Sequence, residues 1–199
     1  MNVMSVTLDS TNLTHHFLIA MPGISDEPFA RSVVYMCEHS NRGALGLVIN
    51  KPSDINLKNL FDKVEMPLRR QDLTEAPVFQ GGPVQVERGF VLHETMSTGT
   101  EESAYGSTMS IPGGLEMTTS KDILEALSTG AGPRKVFVSL GYSAWAEGQL
   151  ESEISENSWL TVQADPAVIF DTPIEQRYEK ALGLLGLQSW MLASGVGHA

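Results

Sequence analysis

The sequence is poor in cysteine and contains no long apolar run, and both shortages restrict where the protein can work. Its 199 residues include one cysteine, Cys37, which cannot form an internal disulfide and therefore favours a reducing compartment. No apolar run approaches the roughly 20 residues that cross a bilayer. Residues 1–16 lack both the basic flank and the long apolar stretch of a secretory signal. We therefore expect a cytoplasmic protein that does not associate with membranes.

Lysine and arginine are also scarce, which argues against direct binding to nucleic acid. The chain carries 13 basic and 24 acidic residues, for a formal net charge of −11. Residues 142–176 contain no Lys or Arg at all. Contacts to a phosphate backbone need clustered basic side chains. The basic residues concentrate only at Lys58, Lys63, Arg69 and Arg70, a pattern typical of a solvated helix-and-loop surface.

Signature motifs of cofactor and metal sites are missing as well. The sequence contains no CxxC, HExxH or GxGxxG pattern and no phosphate-binding P-loop. The glycine pair in Phe79–Val84 (FQGGPV) lacks the Lys and Ser or Thr that follow in a phosphate loop, so we interpret it as a tight turn. The motifs therefore predict neither a cofactor nor a resident metal ion.

Segments rich in β-branched and aromatic residues dominate the chain, without the regular alternation of strands and helices that a parallel sheet requires. Ser32–Glu38 and Ala44–Asn50 are joined by a polar loop that contains glycine, and this pattern predicts a β-hairpin. The remaining predicted strands are His16–Ala20, Pro77–Phe79, Val84–His93, Tyr105–Ile111, Lys135–Leu140, Trp159–Gln163 and Ala167–Phe170.

Helical signals are fewer, and Pro173–Leu185 is the strongest of them. Thr172 and Glu175 form a capping-box pattern, and apolar residues then recur at helical spacing. The predicted buried stripe consists of Ile174, Tyr178, Ala181, Leu182 and Leu185. Further helices are predicted over Leu57–Val64, Ser120–Thr129 and Glu147–Ser155.

These elements predict an α+β fold in which one mixed, mainly antiparallel sheet is flanked by helices. The length fits a single domain over residues 1–199, with an ordered core over about residues 12–193. The tail Ser194–Ala199 is expected to be disordered.

The most informative stretch reads GYSAWAEGQLESEI, from Gly141 to Ile154. A strand that gives way to a helix around Ser143 is the setting of a hydrolase nucleophile elbow. That strained turn requires small residues on both sides of the serine, and Trp145 stands where the second glycine should be. We therefore interpret Trp145 as a core or pocket aromatic and do not assign Ser143 as a nucleophile.

Two polar groupings leave alternatives open. Glu147 and Glu151 lie four residues apart on a predicted helix, which is typical of a solvated acidic surface but also suits a metal-binding or acid–base pair. The ends of two predicted strands carry a second grouping, Cys37, Glu38, His39 and His93. If these strands are neighbours, the grouping could bind zinc or support thiol chemistry. The alternative is that they are ordinary polar strand ends beside a small buried thiol.

Six blocks of the sequence resemble the YqgE/AlgH family of bacterial proteins, in order and spacing, over about residues 12–187. They are Phe17–Pro22 (FLIAMP), Ser32–Pro52 (SVVYMCEHSNRGALGLVINKP), Phe79–Val84 (FQGGPV), Gly89–His93 (GFVLH), Ser139–Ile154 (SLGYSAWAEGQLESEI) and Asn157–Leu160 (NSWL). The resemblance implies a single mixed α+β domain without an established activity. It also implies a link, in one branch, to the regulation of alginate synthesis. The family's usual Ala-Gly-Trp-Gly pattern places alanine where Ser143 stands, which further weakens a catalytic role for this serine.

The family motifs and residue types together indicate one candidate binding surface, made of Glu38, His39, Asn50, His93, Trp145, Gln149 and Glu151. We expect a non-enzymatic cytosolic protein, monomeric or weakly dimeric, that binds an unknown protein or a small polar ligand through this surface. Its role in gene regulation is expected to be indirect. One alternative is a metal- or thiol-dependent enzyme that uses the cysteine, glutamate and two histidines named above. The other is a direct transcriptional regulator, which the net negative charge disfavours.

Overall fold

A sheet organises the structure. The computed structural model describes residues 12–22, 29–96 and 104–193, and 38% of it is strand against 26% helix. The strands are β1 His16–Ala20, β2 Val33–Ser40, β3 Gly43–Val48, β4 Pro52–Asn56, β5 Pro77–Gln80, β6 Val84–Glu94, β7 Thr108–Ile111, β8 Leu115–Thr118, β9 Val136–Ala146 and β10 Trp159–Gln163. The helices are α1 Leu57–Lys63, α2 Asp122–Ser128, α3 Gln149–Ser155, α4 Pro166–Phe170, α5 Arg177–Gly183 and α6 Ser189–Ala193. Within the described ranges, none of these helices is long and apolar enough to cross a membrane.

The strands follow the order β10-β1-β2-β3-β9-β6-β8-β7, and every neighbouring pair in this path is antiparallel. Two strands lie off the path, since β5 pairs in parallel with β9 and β4 pairs with β5. The sheet curls into a half-barrel within a single domain. The predicted α+β class with a mixed, mainly antiparallel sheet is therefore confirmed.

Strand β9 joins the two halves of this sheet. Its residues 138–140 pair with β5 on one edge and with β6 on the other, whereas residues 143–146 pair with β3. The change of partner takes place at Gly81. Its N–H donates to the carbonyl of Leu140 at 3.0 Å, and its carbonyl accepts from the N–H of Val48 at 2.9 Å. The sheet therefore forks at Gly81, between β3 and β5.

Apolar side chains cover both faces of the central strands. On one face of β1 and β2, Phe17 and Tyr35 belong to the core cluster that includes residues of α4 and α5. On the other face, Leu18 and Val34 pack in the cluster that contains Trp145 and residues of α3. Strands covered on both faces are encoded as continuous apolar runs. This explains why the hairpin of β2 and β3, which is confirmed, was visible in the sequence.

The predicted strand Lys135–Leu140 extends much further than expected. Strand β9 continues through Gly141–Ala146, where the sequence pattern suggested a turn into a helix. Helix α3 then begins at Gln149, two residues after its predicted start. The extension is possible because β3 supplies a new antiparallel partner for residues 143–146.

The helix predicted over Pro173–Leu185 is shorter in the structure, where α5 begins later, at Arg177, and ends earlier, at Gly183. Its first turn, Ile174–Gln176, is a 3₁₀ turn, and α5 follows it. The predicted capping box does not form, because the hydroxyl of Thr172 donates to the carbonyl of Ala167 at 3.1 Å. A local side-chain bond to the preceding turn has replaced the cap.

The buried stripe of this helix is correspondingly shorter. Tyr178, Ala181 and Leu182 are buried, as predicted. Ile174 is only half-buried, and Leu185, which follows the end of α5, is 37% exposed. Three of the five expected residues are thus buried within α5, and Ile174 packs against the same core from the preceding 3₁₀ turn.

One predicted strand is wrong, and three short elements went unpredicted. Ala167–Phe170 belongs to helix α4, because Pro166 occupies its first turn and the side chain of Asp165 accepts a hydrogen bond from the N–H of Ala167. The predicted strand over 105–111 starts only at Thr108. The sequence patterns missed β4, β8 and α6. The tail Ser194–Ala199, predicted to be disordered, lies outside the described residues.

Candidate functional site

The two histidines of the predicted surface lie at opposite ends of β9. His93 pairs with Val136 at the start of that strand. His39 pairs with Ala44, which pairs with Trp145 near the end of β9. Nine residues separate Val136 from Trp145, or about 30 Å along a strand. Zinc bonds are close to 2 Å, so the histidines cannot share an ion, and the proposed metal grouping is not formed. Among the described residues, no group of three or more His, Cys, Asp or Glu is arranged to hold a metal.

The thiol version of that hypothesis fails for a different reason. Cys37 is buried in the core, and burial raises the pKa of its thiol, as does the nearby charge of Glu38. The reactive form of cysteine is the thiolate, which this environment disfavours. Cys37 is a small apolar core residue here.

Ser143 is also unavailable for catalysis. It lies inside β9, is fully buried, and its hydroxyl donates to the carbonyl of Gly81 at 3.0 Å. A nucleophile elbow needs an exposed hydroxyl on a sharp turn. Ser143 instead strengthens the fork of the sheet.

His39 connects the hairpin to helix α3. Its Nδ1 accepts a hydrogen bond from the N–H of Leu13 at 2.9 Å, so Nε2 carries the proton in the neutral ring and donates to Oε1 of Glu151 at 2.7 Å. Burial, the largest single effect, would raise the pKa of Glu151, but the hydrogen bond from His39, a backbone hydrogen bond and the electrostatic attraction of the His39 ring together hold that pKa below its usual value. Both ring nitrogens are engaged, so His39 acts as a structural link between elements.

The remaining residues of this end complete the attachment of α3. The indole N–H groups of Trp145 and Trp159 both donate to Oε1 of Glu153, at 3.3 and 3.1 Å. The side-chain carbonyl of Gln149 accepts from the N–H of Ala146 at 3.0 Å and closes the turn before the helix. The arrangement is compact and internally satisfied, which accounts for the density of polar residues in this stretch.

Glu38 and Asn50 lie apart from these contacts. Glu38 is exposed and borders a shallow depression of about 300 Å³ that Arg42, Tyr142 and Trp145 also line. The amide of Asn50 accepts from the N–H of Val33 at 3.0 Å and donates to the carbonyl of Arg31 at 2.9 Å. Thus the structure brings together His39, Trp145, Gln149 and Glu151, places Glu38 beside them, and leaves Asn50 and His93 elsewhere.

His93 has its own buried surroundings. Its Nδ1 donates to the carbonyl of Glu94 at 2.8 Å, and its Nε2 lies 2.7 Å from the hydroxyl of Thr118. Burial lowers the pKa of His93, against the smaller opposing effects of the Glu94 carbonyl and the charge of Glu116. A neutral histidine bonded on both sides is a core residue.

A cleft at the fork of the sheet is a second candidate site, separate from the predicted surface. Gly81 and Gly82 create it, because both must pass very close to β9. A Cβ on Gly81 would lie 2.4 Å from the carbonyl oxygen of Gly141, and one on Gly82 would lie 2.2 Å from the carbonyl carbon of Tyr142. Only glycine permits this approach. The sequence motif FQGGPV, interpreted above as a simple turn, is therefore the point where the sheet divides.

The cleft, called the fork cleft below, has a volume of about 430 Å³. Its apolar lining comes from Val48, Pro83, Val86 and Leu140, and its polar lining from Lys51, Ser53 and Gln80. This volume and composition are those of many ligand sites, which are mainly apolar with a few polar groups. Two adjacent glycines followed by proline were the only sequence signal of it.

A bulge in β6 forms one wall of the fork cleft. The pairing of β6 with β9 shifts between Val84 and Gly89, so the intervening residues protrude from the sheet. Gln85 adopts a positive φ of 47° within the bulge. Val86, at its tip, is 57% exposed. The bulge therefore presents an apolar side chain to solvent at the rim of the cleft.

The polar groups of the fork cleft are few and partly engaged with the backbone. The ammonium group of Lys51 donates to the carbonyl of Ala30 at 2.8 Å, and the hydroxyl of Ser53 donates to the backbone carbonyl of Val78. No carboxylate, histidine or cysteine lines the cleft among the described residues. Lys51 is therefore the one ionisable side chain that the described residues contribute to the lining, and its ammonium group is engaged with a backbone carbonyl.

Sequence comparison identifies relatives along most of the chain. The AlgH-like family matches residues 17–190. A UPF0301 protein of Polaromonas sp. is 85% identical over 188 residues, covering 94% of this chain and 96% of the relative. A UPF0301 protein of Variovorax paradoxus is 75% identical over 191 residues, with the same coverage of both chains.

Two solved structures share the fold. The solution structure of the AlgH protein from Pseudomonas aeruginosa is 46% identical, with a TM-score of 0.74, and the match covers 96% of this chain and 97% of that one. The crystal structure of a protein from Corynebacterium diphtheriae has a TM-score of 0.67 at 21% identity, covering 85% of each chain. The second likeness shows the fold alone.

Proposed function

This chain belongs to the AlgH-like family, and we propose that it is a non-enzymatic protein that binds a partner protein at the fork cleft. One observation carries the proposal: a mainly apolar cleft, to which the described residues contribute no carboxylate, histidine or cysteine, lies beside Val86, which a bulge holds 57% exposed. Exposed apolar surface at the edge of a cleft is typical of protein-binding sites. The proposal places the protein in the cytoplasm as a monomer or weak dimer.

The polar groups of the cleft favour a partner protein over a small polar ligand. The hydroxyl of Ser53 already donates to the carbonyl of Val78, and the ammonium group of Lys51 is oriented by its bond to the carbonyl of Ala30. The exposed Gln80 is the remaining polar side chain of the lining. A small polar ligand would need more such groups to fix its orientation. An apolar side chain of a partner, with a neighbouring peptide group near the Gln80 amide, matches the lining.

Any influence on gene regulation is expected to act through this partner, because the basic residues are poorly placed to bind DNA. Arg70 donates to the carbonyls of Ala131, Pro133 and Arg134 and pairs with Asp72. These bonds engage the guanidinium of Arg70 within the protein, so it is not free to contact phosphate together with Lys58, Lys63 and Arg69. Few cations then remain for phosphate contacts on a chain of net charge −11.

Site-specific photo-crosslinking tests the proposal. A photoreactive amino acid replaces Val86 in one variant and Val64, an exposed valine outside the cleft, in the control. In an extract of the producing bacterium, the Val86 position should yield a crosslinked protein that the Val64 position does not. The purified partner is then titrated against Val86→Asp and Val64→Asp. The partner is expected to cover Val86, so the loss of this apolar contact should weaken binding about tenfold or more in Val86→Asp and not in Val64→Asp.

A double variant, Trp145→Ala with Gln149→Ala, distinguishes the fork cleft from the surface predicted by sequence. If this variant loses the partner while Val86→Asp keeps it, recognition takes place at the α3 end and the cleft proposal is wrong. Equal affinities for Val86→Asp and Val64→Asp would also contradict it.

A further inference from the structure

Arg177 is a buried cation without an acidic partner. The residue is only 7% exposed. Its Nε donates to the carbonyl of Thr172 at 2.9 Å, its Nη1 donates to that of Ile49 at 2.6 Å, and its Cζ lies 5.0 Å above the ring of Phe79. Among the described residues, no carboxylate forms an ion pair with it. Among the described residues, two backbone carbonyls and an aromatic face are its direct contacts, and the charge of Glu175 acts on it without forming an ion pair.

A buried charge held in this way is costly for the fold. Removing a guanidinium from water is unfavourable unless an opposite charge or a full set of hydrogen bonds compensates. Burial lowers the pKa of Arg177 to about 10, although the charge of Glu175 acts in the opposite direction. The group nevertheless stays protonated at neutral pH, so the site keeps a positive charge that no ion pair with a described carboxylate neutralises.

Arg177 lines a cavity of about 220 Å³, called the Arg177 cavity below. Two other cations, Arg134 and Lys135, also line it, and the described part of the chain contributes no acidic residue to its lining. Its apolar walls include Leu73, Phe137 and Ile169. Three of the 13 basic residues of an acidic chain therefore surround one partly apolar space.

The fold holds these cations in place. The bonds from Arg70 to the carbonyls of Pro133 and Arg134 fix the segment that enters β9. Lys135 pairs with Asp171, the residue that follows α4, at 2.9 Å, and both side chains are substantially exposed. Exposed pairs of this kind are weak, so Lys135 can also interact with a group in the cavity.

We propose that the Arg177 cavity binds the carboxylate or phosphate group of a small organic anion whose apolar part contacts Leu73, Phe137 and Ile169. The arginine fork suits a planar or tetrahedral oxyanion, and its Nη2 forms no hydrogen bond with the described residues. Arg134 and Lys135 add positive charge at the same space. The apolar walls offer no contacts to a hydrated inorganic ion, whereas they can contact a short hydrocarbon group, so they favour an organic anion.

Titration with matched probes tests this site. Sodium hexanoate and hexyl phosphate carry the two possible head groups, and 1-hexanol carries the same chain without charge. Nuclear magnetic resonance of the Arg177 Nε–H and of the methyl groups of Leu73 and Ile169 reports on occupancy. Saturable shifts with at least one anion, and none with hexanol at equal concentration, are expected. The anion that binds identifies the head group. Absence of shifts with both anions, or equal shifts with hexanol, overturns the proposal.

Variants separate binding from folding. Replacing Arg177 removes three contacts of the core and can unfold the chain, so the test uses the cavity-lining pair Arg134→Gln with Lys135→Gln. The matched control is Lys58→Gln with Lys63→Gln, which removes the same charge from exposed positions on α1. The cavity pair should weaken the anion about tenfold or more, and the control should change it less than about twofold. Equal weakening by the two pairs would show that only general electrostatic attraction is involved.

Discussion

Substitution of Gly81 by alanine gives the sharpest test of the forked sheet. The new Cβ would lie 2.2 Å from the hydroxyl of Ser139 and 2.4 Å from the carbonyl oxygen of Gly141. The serine can rotate away, but the carbonyl belongs to β9 and cannot. The chain at Gly81 must therefore move outward from the strand.

That movement disturbs three hydrogen bonds made by the backbone of Gly81. Its N–H donates to Leu140, and its carbonyl accepts from the N–H of Val48 and from the hydroxyl of Ser143. At about 1 kcal/mol net for each bond, the free energy of unfolding should fall by about 3 kcal/mol. For a chain of this size, the melting temperature should then decrease by about 6–12 °C.

Circular dichroism during thermal unfolding measures the effect, with Gly89→Ala as the matched control. Gly89 lies in the neighbouring strand β6, and a Cβ built there meets no atom within 4 Å. Its replacement should be neutral or should stabilise the protein by up to about 1 kcal/mol, since alanine restricts the unfolded chain more than glycine does. Equal melting temperatures for the two variants would refute the close approach at Gly81 and, with it, the origin of the fork cleft.

Two further predictions concern the core. Tyr178 is buried, and its hydroxyl donates to the carbonyl of Ala20 at 2.7 Å. Tyr178→Asp should therefore lower the free energy of unfolding by about 3 kcal/mol or more. The control Glu179→Ala, on the exposed side of α5, should change it by less than about 0.5 kcal/mol. Similar urea midpoints for these two variants would show that α5 does not anchor the core. Because burial lowers the pKa of His93, the unfolded chain binds a proton more readily than the folded one, and stability should fall as pH decreases below the unfolded value of about 6.5. Urea unfolding between neutral and mildly acidic pH should show a shallower decrease for His93→Gln than for the original chain, and identical slopes would exclude His93 as a source of the effect.

The elements that were predictable from the sequence share a physical origin in local pattern. The hairpin of β2 and β3 was visible because two apolar runs flank a polar loop with glycine. The packing of α5 through Tyr178, Ala181 and Leu182 followed from helical spacing alone. The family resemblance was equally local, since it rests on short blocks, and comparison confirmed it.

Two errors in the predicted secondary structure arose where residue composition alone favoured the wrong element. Residues 167–170 favour a strand by composition, but Asp165 and Pro166 start a helix there. Ser143 was placed near a turn because a strand followed by glycine usually ends, yet β3 pairs with this segment and extends β9 to Ala146. In the second case the deciding partner, β3, is distant in the sequence and lies outside any local window. In the first case the helix start at Asp165 and Pro166 was a local signal that the strand prediction overlooked.

The sequence by itself determined the acidic charge, the mainly antiparallel α+β class and the dense polar stretch after β9. It could not determine which polar residues converge, because that depends on the pairing register of the strands. The register places His39 and His93 at opposite ends of β9 and so removes the metal site that their residue types suggested. Both proposed sites, the fork cleft and the Arg177 cavity, join segments far apart in the chain. Only the tertiary structure decides such sites, because their walls and charges meet only when β9 has acquired its partners on both edges.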